Sequence, residues 1–220
     1  MEAPKPERTG VAKANAERDM GTLFDHRLRE SEIATTQGSS AKRSRRSKLQ
    51  IVPSRTVTER VCEWIQPHER EMSLVSEQLK TVFRQLANGE RDWPLFLHGN
   101  TGAGKTGAAL ALADFVELAF YAELDQLCTD VMKGDVNWDL IGWAELAILD
   151  EIGMRLKSTD LHYATVKTFW ERRERRGQRS IYISNVPPNR IAEIFDDRIA
   201  DRLLPGTVIE VTGDSRRFNK

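Results

Sequence analysis

The sequence predicts an α/β domain of three layers around a mostly parallel sheet, and three observations predict it. Short apolar runs recur, "LFLH" at 95–98, "LAILDE" at 146–151 and "SIYIS" at 180–184. Such runs, apolar on both faces, suit strands buried inside a parallel sheet. Segments of helical periodicity separate them, and strand–helix alternation is how a parallel sheet gains helices on both faces. The run at 95–98 also leads directly into "GNTGAGKTG" (99–107), a glycine-rich turn that opens a helix.

The elements follow in order. From Pro67 a helix places Leu74, Val75, Leu79, Val82, Phe83 and Leu86 on one face, and "NGERDWP" stops it. After the strand and the glycine-rich turn, a helix runs from about Lys105 to Leu118, then a strand near "AFYAEL". "LAILDE" is the next strand. Asp160 to Gly177 reads as a helix with Leu161, Val166, Phe169 and Trp170 facing inward, and Gly177 stops it. "SIYIS" and "GTVIEVTG" (206–213) are the last strands. Residues 57–220 thus form one domain.

Residues 1–56 differ in kind. They carry 12 Lys/Arg against 7 Asp/Glu, leaving 21 against 26 in the remainder of a chain whose net charge is zero. "TTQGSSAKRSRRSK" (35–48) has no apolar partner to bury, which predicts a flexible, basic segment. Met20, Leu23, Phe24, Leu28 and Ile33 recur at roughly helical spacing, so the segment is either a disordered extension or a carrier for a partner-docking helix.

Composition excludes several classes. Cys62 and Cys128 form no CxxC pair, and His26, His68, His98 and His162 are scattered. That predicts ordinary thiols in a reducing, cytoplasmic setting and no transition-metal site. The N-terminus lacks the apolar core of a secretory signal. The most apolar run, 108–124, contains Asp114, Glu117 and Glu123, which predicts no membrane span.

The chemistry starts at the glycine-rich turn. Gly99, four residues, then Gly104-Lys105-Thr106 satisfies the phosphate-loop pattern GxxxxGK[ST]. Amide groups of Gly99, Asn100, Thr101, Gly102, Ala103, Gly104, Lys105, Thr106 and Gly107 would converge on nucleotide phosphates, with a helix N-terminus behind them. Lys105 would reach the β- and γ-phosphates, and Thr106 would ligate a magnesium ion. Asp150, ending an apolar strand, suits the outer side of that magnesium. Glu151 beside it suits the base that orients and deprotonates water, which favours ATP hydrolysis over transfer to a small acceptor. Asn185, directly after "SIYIS", is placed to hydrogen-bond the γ-phosphate or the attacking water. Arg198 and Arg202 lie four apart on a short helix beside Asp197 and Asp201, either a salt-bridged surface or an arginine finger for a neighbouring subunit. Arg216 or Arg217 would sense the γ-phosphate in cis. Two basic runs, "KRSRRSK" (42–48) and "ERRERRGQR" (171–179), suit either solvent, subunit contact or nucleic-acid phosphates. Trp138 and Trp143 suit core packing better than base stacking.

The ordered set "GNTGAGKT", "LAILDEIG", "SIYISN", "DDRIADRL" and "TGDSRR" resembles the AAA+ ATPases, and more narrowly the DnaC/DnaI replicative-helicase loaders and their IstB transposition relatives, over about residues 70–220. The resemblance implies sensor 1 at Asn185, the finger at Arg202 with Arg198 beside it, and sensor 2 at Arg217. It implies ATP-controlled delivery of a replicative helicase hexamer onto single-stranded DNA by a homo-oligomer whose finger acts in trans, the N-terminal segment holding the helicase. An IstB-like helper on duplex DNA is the alternative reading, and a small-molecule kinase a third. The related initiator DnaA continues into a helical lid and a DNA-binding motif. This sequence reaches Lys220 about where sensor 2 ends, so no lid is expected. Two features depart from the family pattern: Ala103, where many relatives have Thr, and a short segment between the loop and Asp150.

Overall fold

The computed structural model describes residues 72–116, 118–154 and 158–213. The expectations for residues 1–56, and for Arg216 and Arg217, lie outside them. A 3-10 turn, Met72–Leu74, precedes helix α1 (Glu77–Ala87). Ser76, in extended conformation, caps α1 by accepting the Leu79 N–H. Leu79, Val82, Phe83 and Leu86 are buried as their spacing predicts. Leu74 is not on that face: it sits in the 3-10 turn and is 44% exposed, because the cap at Ser76 interrupts the helical period.

Strand β1 (Leu95–His98) enters the glycine-rich turn, and α2 (Lys105–Ala113) leaves it. The helix stops five residues short of Leu118. Phe115 and Val116 donate to Leu112 and Ala113, three residues back, and that tighter winding ends the helix. Then come β2 (Ala119–Glu123), α3 (Leu124–Lys133), α4 (Trp138–Trp143), β3 (Leu146–Ile152), α5 (Asp160–Glu174), β4 (Arg179–Ser184), α6 (Asn189–Ile194), α7 (Asp197–Leu203) and β5 (Thr207–Glu210). The sequence pattern predicts none of α3, α4 and α6. Both α4 and α6 have six residues, too few to show a period.

All described strand pairs are parallel, in the order β2-β3-β4-β1-β5. Alternate strand residues serve two cores. Leu95, Leu97, Ile148, Ile181 and Ile183 pack against α1 and α2. Phe96, Ala147, Leu149 and Tyr182 pack against α3 to α7. The result is helices, sheet, helices, the predicted three layers.

The basic run at 171–179 has a structural member. Arg173 is fully buried, with its guanidinium donating to the carbonyls of Ile141 at 2.8 Å, Ala144 and Arg179, and to Ser180 Oγ at 3.3 Å. It therefore faces neither solvent nor nucleic acid. Arg172 and Arg176 reach Asp139 at 3.4 and 3.5 Å, and Arg175 reaches Glu171 at 3.9 Å. The two tryptophans divide. Trp138 packs partly against the second core, whereas Trp143 is 62% exposed with the Arg176 guanidinium 4.6 Å over its ring. Nor does Trp170 face inward, since it carries Arg202 on its ring face, 4.2 Å from the centroid.

Candidate nucleotide site

The order of strands builds the site. Although β4 comes late in the chain, it lies between β1 and β3. The carboxyl ends of β1, β4 and β3 are therefore neighbours, and each delivers one predicted polar group. Along β3, Ile148 faces α1 and α2, so Asp150, two residues on, faces them too. Along β4, Ile183 puts Asn185 toward the same side.

Gly99 follows β1 with φ at +138°, and a Cβ there would lie 2.2 Å from the Val211 carbonyl oxygen. Only glycine lets the turn leave β1 while Val211 N donates to His98 O at 2.7 Å. The loop then folds on itself, Ala103 N donating to Asn100 O at 3.2 Å with the Ala103 side chain buried. Gly104, at φ +91°, stands at the N-terminus of α2.

Lys105 is 5% exposed. Its Nζ donates to Gly99 O, Asn100 O and Asn185 Oδ1, each at 2.8 Å. Thr106 Oγ1 donates to Asp150 Oδ2 at 2.6 Å. The structure thus joins Lys105, Thr106, Asp150 and Asn185 in two hydrogen-bonded pairs, bridging up to 80 residues of sequence. Asn185 Nδ2 also lies 3.4 Å from Met154 Sδ. Asp150 is 4% exposed, and its Oδ1 accepts the Glu151 N–H at 2.6 Å.

Glu151 owes its place to an irregularity. Leu149 pairs with Tyr182 but Ile152 pairs with Ser184, so β3 spends three residues where β4 spends two. This bulge puts Glu151 in the left-handed region at φ 60°, turned out of the strand's alternation. It also lets Leu149 and Ile152, three apart, enter the same core. Ser184 Oγ anchors the bulge by donating to Ile152 O at 2.6 Å.

One residue that sequence reasoning missed belongs here. Tyr121 on β2 donates its hydroxyl to Asp150 Oδ2 at 3.0 Å. Burial, then the Asp150 charge, push the phenol well above its usual range, so it stays a donor. Its signal in the sequence was a polar-tipped aromatic inside an apolar strand. Glu123, opposite Asp150 in the ladder, has its carboxyl raised by burial, then by Asp150 and Asp125. His98 is lowered by burial, against the pull of Glu210.

The two predicted fingers stand apart from this cluster. Arg198 is exposed on α7 and Arg202 is half-buried over Trp170, and among the described residues neither hydrogen-bonds to the loop. Arg217 lies outside the described residues. Among those residues, no helix is long and apolar enough to cross a membrane.

Five parallel strands in this order, with a phosphate-loop sequence after β1 and an acidic pair ending β3, make a three-layer α/β fold like that of the DnaI and DnaC structures. Among solved structures, the chain is similar to DnaI (TM-score 0.56, 21% identity), over 69% of this chain and 94% of that one. It is similar to the DnaC helicase loader (TM-score 0.55, 11% identity), over 67% of this chain and 100% of that one. AMPPCP-bound DnaA from Aquifex aeolicus matches at TM-score 0.58 and 20% identity, over 70% of this chain and 54% of that one. The chain spans about half the length of the two AMPPCP-bound DnaA structures it matches. No protein-family model matches it, and neither does any curated protein.

Proposed function

We propose that the protein is an ATPase that loads a replicative helicase hexamer onto single-stranded DNA, its ATP site shared between subunits of a homo-oligomer in the cytoplasm. The observation that carries this reading is the hydrogen-bonded meeting of Lys105, Thr106, Asp150 and Asn185 at three adjacent strand ends, with Glu151 turned out beside them. The donor set fits a magnesium nucleotide. Thr106 and Asp150 present hard oxygens, which suit Mg2+, and residues 99–107 with the buried Lys105 suit polyphosphate. A magnesium ion held there would neutralise charge on the phosphates.

The chain's own residues have separable tasks. Lys105 binds phosphate oxygens, and Asn185, already bonded to it, orients the γ-phosphate or the attacking water. Glu151 takes the proton from that water as its oxygen attacks the γ-phosphorus and the bond to ADP breaks. Arg202, with Arg198 beside it, stabilises the transition-state charge in the neighbouring subunit's site, and Arg217 senses the γ-phosphate in cis. The likeness to DnaI and DnaC supports the loading role, and the basic segment at 42–48 supports contact with DNA phosphates.

The test is direct. The purified full chain should hydrolyse ATP faster with single-stranded DNA and capture a replicative helicase hexamer in a nucleotide-dependent way. Lys105→Ala should reduce nucleotide affinity at least about a hundredfold, the scale of losing a buried charge-assisted contact to phosphate. Failure to bind any helicase under any nucleotide condition overturns the loading role. ATP-dependent filaments on duplex DNA would point to an IstB-like helper instead.

A further inference from the structure

We propose that Tyr121 is a positioning residue of the magnesium site, its buried hydroxyl fixing the orientation in which Asp150 presents its carboxylate. The inference rests on the reading that Thr106 and Asp150 hold the ion, and extends it to an edge strand. Tyr121 is 2% exposed, and its ring is part of the core between the sheet and α2. Its hydroxyl shares Asp150 Oδ2 with Thr106, at 3.0 and 2.6 Å, while Oδ1 is taken by the Glu151 N–H at 2.6 Å.

These three donors come from three elements and fix both carboxylate oxygens. They differ in rigidity. The Thr106 hydroxyl belongs to the loop-helix junction that receives the phosphates, and the Glu151 amide sits in the bulge. The phenol oxygen stands at the end of a ring held by core neighbours, so its place is set by packing. A carboxylate's terminal torsion is broad. With Tyr121 bonded to Oδ2, rotation about that torsion would break a buried hydrogen bond that water cannot replace. Partners in this position tune metal affinity without touching the metal.

Tyr121→Phe removes one oxygen and keeps the ring. The measurement is affinity for a fluorescent ATP analogue, titrated with MgCl2 on the full chain and repeated in EDTA. Tyr121→Phe should raise the half-saturating magnesium concentration about tenfold, leaving affinity in EDTA unchanged. In the Asp150→Asn background the same change should add nothing, since the phenol acts through that carboxylate. A magnesium response within twofold of the wild type, or an equal additional loss in the Asp150→Asn background, overturns the inference. Should Tyr121→Phe fail to fold, 4-aminophenylalanine at 121 restores a donor at that place. Recovery of the fold without the magnesium response then also overturns it. If Asp150→Asn itself leaves the magnesium response intact, it is the parent reading of the site that falls.

Discussion

Arg173 brings a cation to the foot of the sheet, where α5 ends and β4 begins, far from the phosphate loop. Burial lowers its pKa to about 10, so it remains charged at neutral pH, and the carbonyls of Ile141, Ala144 and Arg179 share that charge. Arg173→Met keeps much of the volume but leaves those carbonyls without their donor. We expect a loss of about 3 kcal/mol in unfolding free energy, measured by urea denaturation, with nucleotide affinity retained. Arg175→Met, two residues on and exposed, should cost almost nothing by the same measurement. The spacing from Val166 and Phe169 puts Arg173 rather than Arg175 on the inward face of α5, but nothing local shows the carbonyls that receive its charge.

At the scale of elements, α7 carries the two arginines of the proposed in-trans finger. Asp196 caps it by accepting the Ile199 N–H at 2.8 Å, and Ile199, Ala200 and Leu203 bury one face. That leaves Arg198 and Arg202 on the outer side, four apart as the sequence reading placed them. Trp170 of α5 backs Arg202, which limits the directions in which its guanidinium points. Arg202→Ala should preserve ATP binding, abolish hydrolysis in the homomer, and regain part of it when mixed with Lys105→Ala subunits that supply an intact finger. A fully active homomer overturns the assignment. The elements α1, β1, β3, α5 and β4 were legible, the two helices from apolar residues at helical spacing and the three strands from unbroken apolar runs. The short α4 and α6 were not, because a single turn and a half carries no period. The end of α2 was misplaced because the apolar run continues past Ala113 after the helical bonds have stopped.

For the whole molecule, what sequence could not supply was adjacency. The phosphate loop, the acidic pair and Asn185 were each identified from local pattern. Nothing local says that β4 slips between β1 and β3 and so brings Asn185 within 2.8 Å of Lys105. Tyr121 went unread for the same reason, since its partner is 29 residues away across a strand pair. The bulge has a further consequence. With β3 spending three residues against two of β4, one residue is surplus to the architecture, and it is the proposed base. A chain shortened by Glu151 alone would pair Leu149, Asp150 and Ile152 against Tyr182, Ile183 and Ser184 in unbroken register. It should melt no lower than the full chain, having shed about 1 kcal/mol of left-handed backbone strain, and should hydrolyse no ATP. In this protein the reaction would ride on a residue that the sheet can do without, so the fold and its chemistry can be lost separately.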